Sequence, residues 1–469
     1  MDSKKTIEVF QKAPVPQAVL QNALPAMAAM LMVLVYNLAD TFFLAQTHHD
    51  ILVAAVSLAT PVFLIFMAVG TVFGMGGTSV ISRAMGEGRL DYARKVCSFC
   101  MWSCVSVGIV MSALFLIFMD QILAWVGASP ETWTPAKTYL TIVRLSGPFV
   151  LIANCYSSVI RAEGQSTQAM MGQVLGNLLN VVLDPVMILG LQWGIAGAAA
   201  ATVLGNAAGA GYYLVYFLRG RSALSIHPRD FALRGRVCTS VLAIGIPAAL
   251  GSLLMSVSQI VVNSQMSHYG DMAVAGIGVA MKVTMITGMV CMGIGQGVQP
   301  LLGFCAGAGL WERFKKVLRF SLVFALVLSM LMTSLCYLFI SRMVQMFLTD
   351  TAAFDYAVEF SKILLTTSSL FGVFYVFANT LQAMGAAAAA LIVNLSRQGI
   401  LYIPALFVLQ AAIGVTGLAW AQPAADLLST ALVAVLCLRT FQKMAKSASC
   451  QRAEKNGGNL QKLTAGGTL

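Results

Sequence analysis

The sequence predicts an all-α polytopic membrane protein, with twelve transmembrane helices in two pseudo-symmetric six-helix lobes. Three observations carry that expectation. Only 10% of residues are charged and 58% are hydrophobic, whereas soluble domains carry about 25% charged residues. Twelve apolar segments each reach the roughly 20 residues that a span requires. None of them alternates with the period of two that marks an outer-membrane barrel strand. Finally, the two halves of the chain echo each other.

The first segment, 18–45, holds Pro25, Tyr36, Asn37 and Asp40. It is too long for a signal-peptide core and lacks a small-residue cleavage site, so it is expected to stay as a span. Segment 50–82 follows, and then 92–119, whose Cys97, Cys100 and Cys104 stand at helical spacing. No His lies near these thiols, so they read as small packing residues rather than metal ligands. Segment 137–160 contributes Tyr139 and Asn154. Segment 166–190 contains "NVVLDPVMILG", with Asn177, Asn180 and Asp184 on one helical face and Pro185 behind them. Proline lacks an N–H, so the carbonyl of Val181 loses its helical partner there. Segment 194–218 opens with "GIAGAAAATVLG" and carries Thr202.

The stretch 219–237 is the one long polar interruption and divides an N-lobe, 18–218, from a C-lobe, 238–440. The C-lobe segments are 238–266, 272–303, 316–341, 356–384, 388–410 and 414–438. Residues 1–17 form a short leading segment, and 441–469 form a basic tail expected to lie on the membrane surface and end in disorder. The lobes align at an offset of 220–222 residues: Pro25 with Pro247, "RAEG" (161–164) with "QAMG" (382–385), and "GIAG" (194–197) with "GVTG" (414–417). Six helices per half give both halves the same orientation. Transporters built on such repeats hold substrate between the halves and rock them about it.

The net charge of +11 invites a nucleic-acid reading, but its placement argues against one. With the N-terminus inside, 23 of the 29 Lys and Arg fall in cytoplasmic segments. That is the positive-inside bias, and it puts both termini in the cytoplasm. The partners expected are therefore lipid and small molecules. No phosphate-binding G-x-x-x-x-G-K-[ST] loop, nucleophile elbow or H-E-x-x-H pair is present, so neither ATP hydrolysis nor another enzymatic activity is expected.

Of the 18 acids, three lie well inside spans: Asp40, Asp184 and Asp426. A buried ionisable group in a membrane is by default a candidate functional group. On the predicted topology Asp40, Asp184, Asn180 and Thr202 share one depth in the outer half of the N-lobe. Burial beside a like charge favours the protonated carboxyl, which suits a proton carrier. The same oxygens suit Na⁺ as a hard cation. No other cofactor is expected. The repeat separates architecture from function, because "LDP" (183–185) aligns with "YIP" (402–404) and Asp40 with Val262. The prolines recur in both halves, whereas these acids do not. In the C-lobe, Asp426, Lys282 and Gln259 are candidates for a second polar site or a substrate cavity, with Lys282 a candidate partner for Asp426 and Arg397 expected to snorkel or pair near a span end.

These motifs together resemble the MATE (multidrug and toxic compound extrusion) family over residues 15–440. The resemblance rests on "NLADTFFLAQ" (37–46), "RAMGEGRLDYARK" (83–95), "RAEGQSTQAM" (161–170), "NVVLDP" (180–185), "GIAGAAAATVLG" (194–205) and "AWAQPAADLL" (419–428). It implies a V-shaped pair of lobes in a bacterial plasma membrane, a monomer, and export of organic cations in exchange for H⁺ or Na⁺. The family's cation site falls on Asp40, Asn180, Asp184 and Thr202, with Tyr36, Asn37, Tyr139 and Asn154 extending it and Pro25 as the hinge of the first helix. Helices 7 and 10 lack the mid-span acids of the NorM-type branch, so the chain is more similar to the DinF-type, MepA-like branch. The alternative reading is a lipid-linked oligosaccharide flippase of the wider superfamily.

Overall fold

A computed structural model of the chain describes residues 9–45, 50–125, 128–232, 236–348 and 351–465. Among them there is no strand. In the N-lobe, α1 is Val15–Ala45, α2 Asp50–Gly86 and α3 Leu90–Ile117. α4 joins Pro130–Val143 to Gly147–Ala162 through a 3₁₀ turn, α5 is Ser166–Pro185 followed by a π turn at Val186–Gly190, and α6 is Gly194–Leu218. In the C-lobe, α7 is Val237–Ser267, α8 Asp271–Gly307 and α9 Trp311–Leu338. α10 comprises Thr351–Ser368 and Phe371–Ala383, and α11 runs from Ala387–Leu395 through a π turn at Ser396–Ile400 to Tyr402–Ile413. α12 is Val415–Ala465.

Ten of these helices are long and apolar enough to span a membrane, and the α10 pair, bent by 49°, supplies an eleventh. The remaining helix, α6, has 25 residues, and its five Gly, Asn206 and three Tyr keep it from reaching the same apolarity. α12 continues as helix from the last span to Ala465, and the chain's last four residues lie outside the described ones.

The turns recur between the halves. Gly88, Gly164 and Gly194 have φ of +74°, +82° and +53°. Gly309, Gly385 and Gly414, 220 or 221 residues later, have +67°, +74° and +67°. A left-handed backbone costs a side-chain-bearing residue about 1–2 kcal/mol, so each repeat places glycine where a helix must stop and reverse. Full side-chain capping of a helix start is seen at α4, where Ser129 and Thr132 satisfy each other's backbone N–H ahead of Pro130.

The lobes meet along α1 with α8, α2 with α7, and α2 with α8. The first two pairings are the same contact related by the repeat, and the third crosses its axis. Close approach there depends on absent side chains. A Cβ on Gly86 would collide with the carbonyl of Phe304, and one on Gly307 with the carbonyl of Arg83. Phe304 and Gly307 stand 221 residues after Arg83 and Gly86, so this crossing is reciprocal. Cβ atoms on Gly293 and Gly297 would stand 2.6 Å from the Cα atoms of Met27 and Ala23. These contacts fall toward the side from which both termini and the inter-lobe segment emerge. Gly245, whose Cβ would meet the Val72 carbonyl, is the tightest position between α7 and α2. Gly245→Val is expected to destabilise the closed arrangement by about 1–3 kcal/mol, read as a lower thermal-unfolding midpoint in detergent.

The inter-lobe segment is docked on the N-lobe. Glu163, buried between α4 and α5, accepts from the Tyr216 and Ser222 hydroxyls at 2.6 Å and the Ala223 N–H at 3.2 Å. Burial pushes its carboxyl up and these donors partly offset that. Ser98 and Trp102 on α3 donate to the carbonyls of His227 (2.7 Å) and Ile226 (3.2 Å).

Candidate ion-coupling site

Two small-residue contacts place the N-lobe polar cluster. Gly176 on α5 and Gly205 on α6 lie so close that a Cβ on either would stand 2.8 Å from the other's carbonyl oxygen. That approach sets Thr202 beside Asn180. The Thr202 hydroxyl donates back to Ala198 O at 3.0 Å, and its oxygen accepts from Asn180 Nδ2 at 3.4 Å. Asp184, one turn beyond Asn180, is fully buried, and Asn180 and Thr202 are nearly so. Asp40 and Asp184 lie within electrostatic reach of each other. Tyr36 and Tyr139 both approach the Thr202 hydroxyl and the two carboxylates. Four helices therefore converge: α1 through Tyr36 and Asp40, α4 through Tyr139, α5 through Asn180 and Asp184, and α6 through Thr202.

The cluster has unspent acceptors. Asn180 Oδ1 and both carboxylate oxygens of Asp184 are buried without a hydrogen-bond partner. Orphaned buried oxygens are costly unless something positive meets them. A proton on the Asp184 carboxyl, or a monovalent cation held by Asn180 Oδ1 and the carboxylates, would satisfy them. No group of three or more His, Cys, Asp and Glu side chains suited to a metal ion occurs among the described residues. On the far side of the cluster from the termini, Phe43, Val56 and Tyr139 pack on Ile188 and Ala198, so that end is covered by apolar groups.

The π turn belongs to this arrangement. The helical path continues through Pro185, which leaves Val181 O without its i+4 N–H partner, and a π turn follows at Val186–Gly190, where the Leu191 N–H bonds to Val186 O five residues back. Such π bulges are common at functional positions. α1, in contrast, is helical throughout, with Pro25 inside it.

The other candidates have different surroundings. Asn154 faces α2, donating to Met67 O at 3.1 Å, and is not joined to the Thr202 cluster by any described contact. Asn37 is exposed. Asn177 is half-buried one turn from Asn180, with Nδ2 unpartnered. Gln259 is exposed and donates to Met281 Sδ.

The expected pairing of Lys282 with Asp426 does not occur. Lys282 is exposed and lies 5.2 Å from the Phe347 ring centroid. The partner of Asp426 is Arg397, whose Nε donates to Oδ1 at 2.8 Å, joined by Gln422 Nε2 at 3.0 Å. Arg397 thus pairs, one of its two expected roles, but it does so buried in the π turn in the middle of α11 rather than near a span end. Its guanidinium lies 4.5–5.3 Å from the ring centroids of Phe371, Phe374 and Tyr375. Nothing in the sequence next to Arg397 announces three rings contributed by α10, so only three-dimensional proximity reveals this cage.

The chain is similar to known proteins along most of its length. The family model described as MatE matches residues 25–186 and 247–431. The multidrug export protein MepA of Staphylococcus aureus (strain NCTC 8325 / PS 47) is 32% identical over 429 residues, 91% of this chain and 94% of that protein. MepA of Staphylococcus haemolyticus (strain JCSC1435) is 30% identical over 411 residues, covering 88% of this chain and 90% of its own. A solved outward-facing MATE family multidrug resistance transporter of the MOP superfamily superimposes with a TM-score of 0.90 at 21% identity, covering 95% of this chain and all of that one.

Proposed function

The chain belongs to the MATE family of multidrug export transporters, and on that premise we propose a secondary antiporter that exports organic cations and other amphipathic drugs. It returns H⁺ or Na⁺ at a site formed by Asp40, Asn180, Asp184 and Thr202. The observation that carries this reading is the convergence of two carboxylates with a partnerless amide oxygen inside one lobe. The relatives are named multidrug export proteins over nearly their whole length, which supports the drug-export half of the reading.

The coupling follows from electrostatics. Two nearby carboxylates in a low-dielectric interior cannot both stay charged without compensation. A proton or Na⁺ taken up on the outer side neutralises the cluster and draws α1 toward α5. α1 also packs on α8 through Ala23 and Met27, so its displacement reaches the C-lobe and expels the cationic substrate. Pro25, between Ala23 and Met27, is the natural point for α1 to bend. The positive-inside bias places the termini in the cytoplasm, which makes the closed side of the molecule the cytoplasmic one.

Efflux of a fluorescent cation from proteoliposomes tests the reading, with the H⁺ and Na⁺ gradients imposed separately. One of the two gradients should drive export above the gradient-free control. Export unaffected by either gradient would overturn the antiport assignment.

A further inference from the structure

The N-terminal segment crosses from one lobe to the other. Residues 9–12 form a helical turn, and Ala13 and Pro14 then connect it to α1 of the N-lobe. This turn rests on the C-lobe. Phe10 is 1% exposed, and its ring lies edge-on to Phe304 of α8 at 5.4 Å between centroids. Arg313, in the first turn of α9, donates from Nε to Phe10 O at 2.6 Å and from its terminal nitrogen to Ala13 O at 2.7 Å and Val9 O at 3.2 Å.

These contacts make physical sense together. The last carbonyls of a helical turn have no helical partners, and a cation there satisfies them and meets the negative end of the local dipole. No carboxylate pairs with Arg313 among the described residues, so its donors go to the strap. Pro14 and Pro16 restrict the junction with α1, which limits how far the turn can swing without moving α1. Phe304 serves two neighbours at once: its ring meets Phe10, and its carbonyl is the contact of Gly86 on α2.

We propose that residues 9–13 are a strap that latches the lobes shut on the side of the termini, with Arg313 as its release point. The lobes cannot part there until the strap carbonyls leave Arg313 and Phe10 leaves Phe304. This rests on the alternating-access reading above, but its test needs neither a gradient nor a substrate. Removing the latch should favour the arrangement open on this side.

Cys305 provides the reporter. It is fully buried next to Phe304 and within reach of the Arg313 side chain. In the full-length chain with the other nine cysteines replaced, the rate of Cys305 modification by a membrane-impermeant maleimide would be measured in inside-out vesicles. Arg313→Gln and Phe10→Ser should each speed modification by at least tenfold, while Lys316→Gln, an exposed change on the same helix, should not. Phe10→Ser leaves the C-lobe sequence intact, and the size-exclusion profile of each variant in detergent identifies any that misfolds. Parental rates in both folded strap variants would overturn the proposal, as would equal acceleration by Lys316→Gln.

Discussion

Asp184→Asn is expected to reduce gradient-driven efflux in proteoliposomes by at least tenfold, with Asp40→Asn close behind. The amide matches the carboxylate in shape, so the α5–α6 packing through Gly176 and Gly205 should survive. What it removes is the charge that makes cation uptake favourable. Thr202→Ala deletes one oxygen that accepts from Asn180 and should weaken coupling less, because both carboxylates remain. A ligand that binds only the folded state stabilises it by RT ln(1 + [L]/Kd). If Na⁺ is the coupling ion, NaCl but not KCl should therefore raise the thermal midpoint of the parent chain, and Asp184→Asn should erase that rise. If H⁺ is the ion, both salts should act alike. Normal gradient-driven export by both Asp40→Asn and Asp184→Asn would place coupling elsewhere.

The sequence made the clustering of this candidate site legible because its logic is one-dimensional. Helical spacing put Asn180 and Asp184 on one face, and span polarity put Asp40 and Thr202 at their depth. The repeat, read as a control, separated recurring prolines from acids confined to one half. What the sequence could not reveal depends on contacts between distant segments. Asn154 shares its polarity with the cluster but turns toward α2, a choice made by packing against Gly70 and Met67. Lys282 is an obvious cation in a span, yet it stays exposed while Arg397, 29 residues from Asp426, takes the acid. Periodicity specifies a face and a depth, but not which of two cations reaches a given carboxylate. The strap was equally hidden, since only the folded chain brings Arg313 to carbonyls some 300 residues earlier.

The repeat also frames the second large effect. Asp426 stands 220 residues after Asn206, so the C-lobe holds an acid, paired with Arg397, where the N-lobe holds an amide. The side chains of the pair are 9% and 3% exposed. Removing one member of such a pair strands the other charge and typically costs about 3–5 kcal/mol. Arg397→Met alone leaves Asp426 with only Gln422 as a side-chain donor, and Asp426→Asn alone leaves a guanidinium among three rings without its counter-charge. Each single variant should therefore unfold at a clearly lower temperature in detergent. The double variant Arg397→Met/Asp426→Asn removes both charges, keeps an acceptor for Gln422 and fills the cage with an adaptable apolar chain. It should recover more than half of the loss. An internally compensated pair also has no net charge to offer a coupling ion, unlike the N-lobe carboxylates. The double variant should then still export under the gradient that drives the parent, whereas a stable double variant without coupled export would make the C-lobe pair part of the transport machinery.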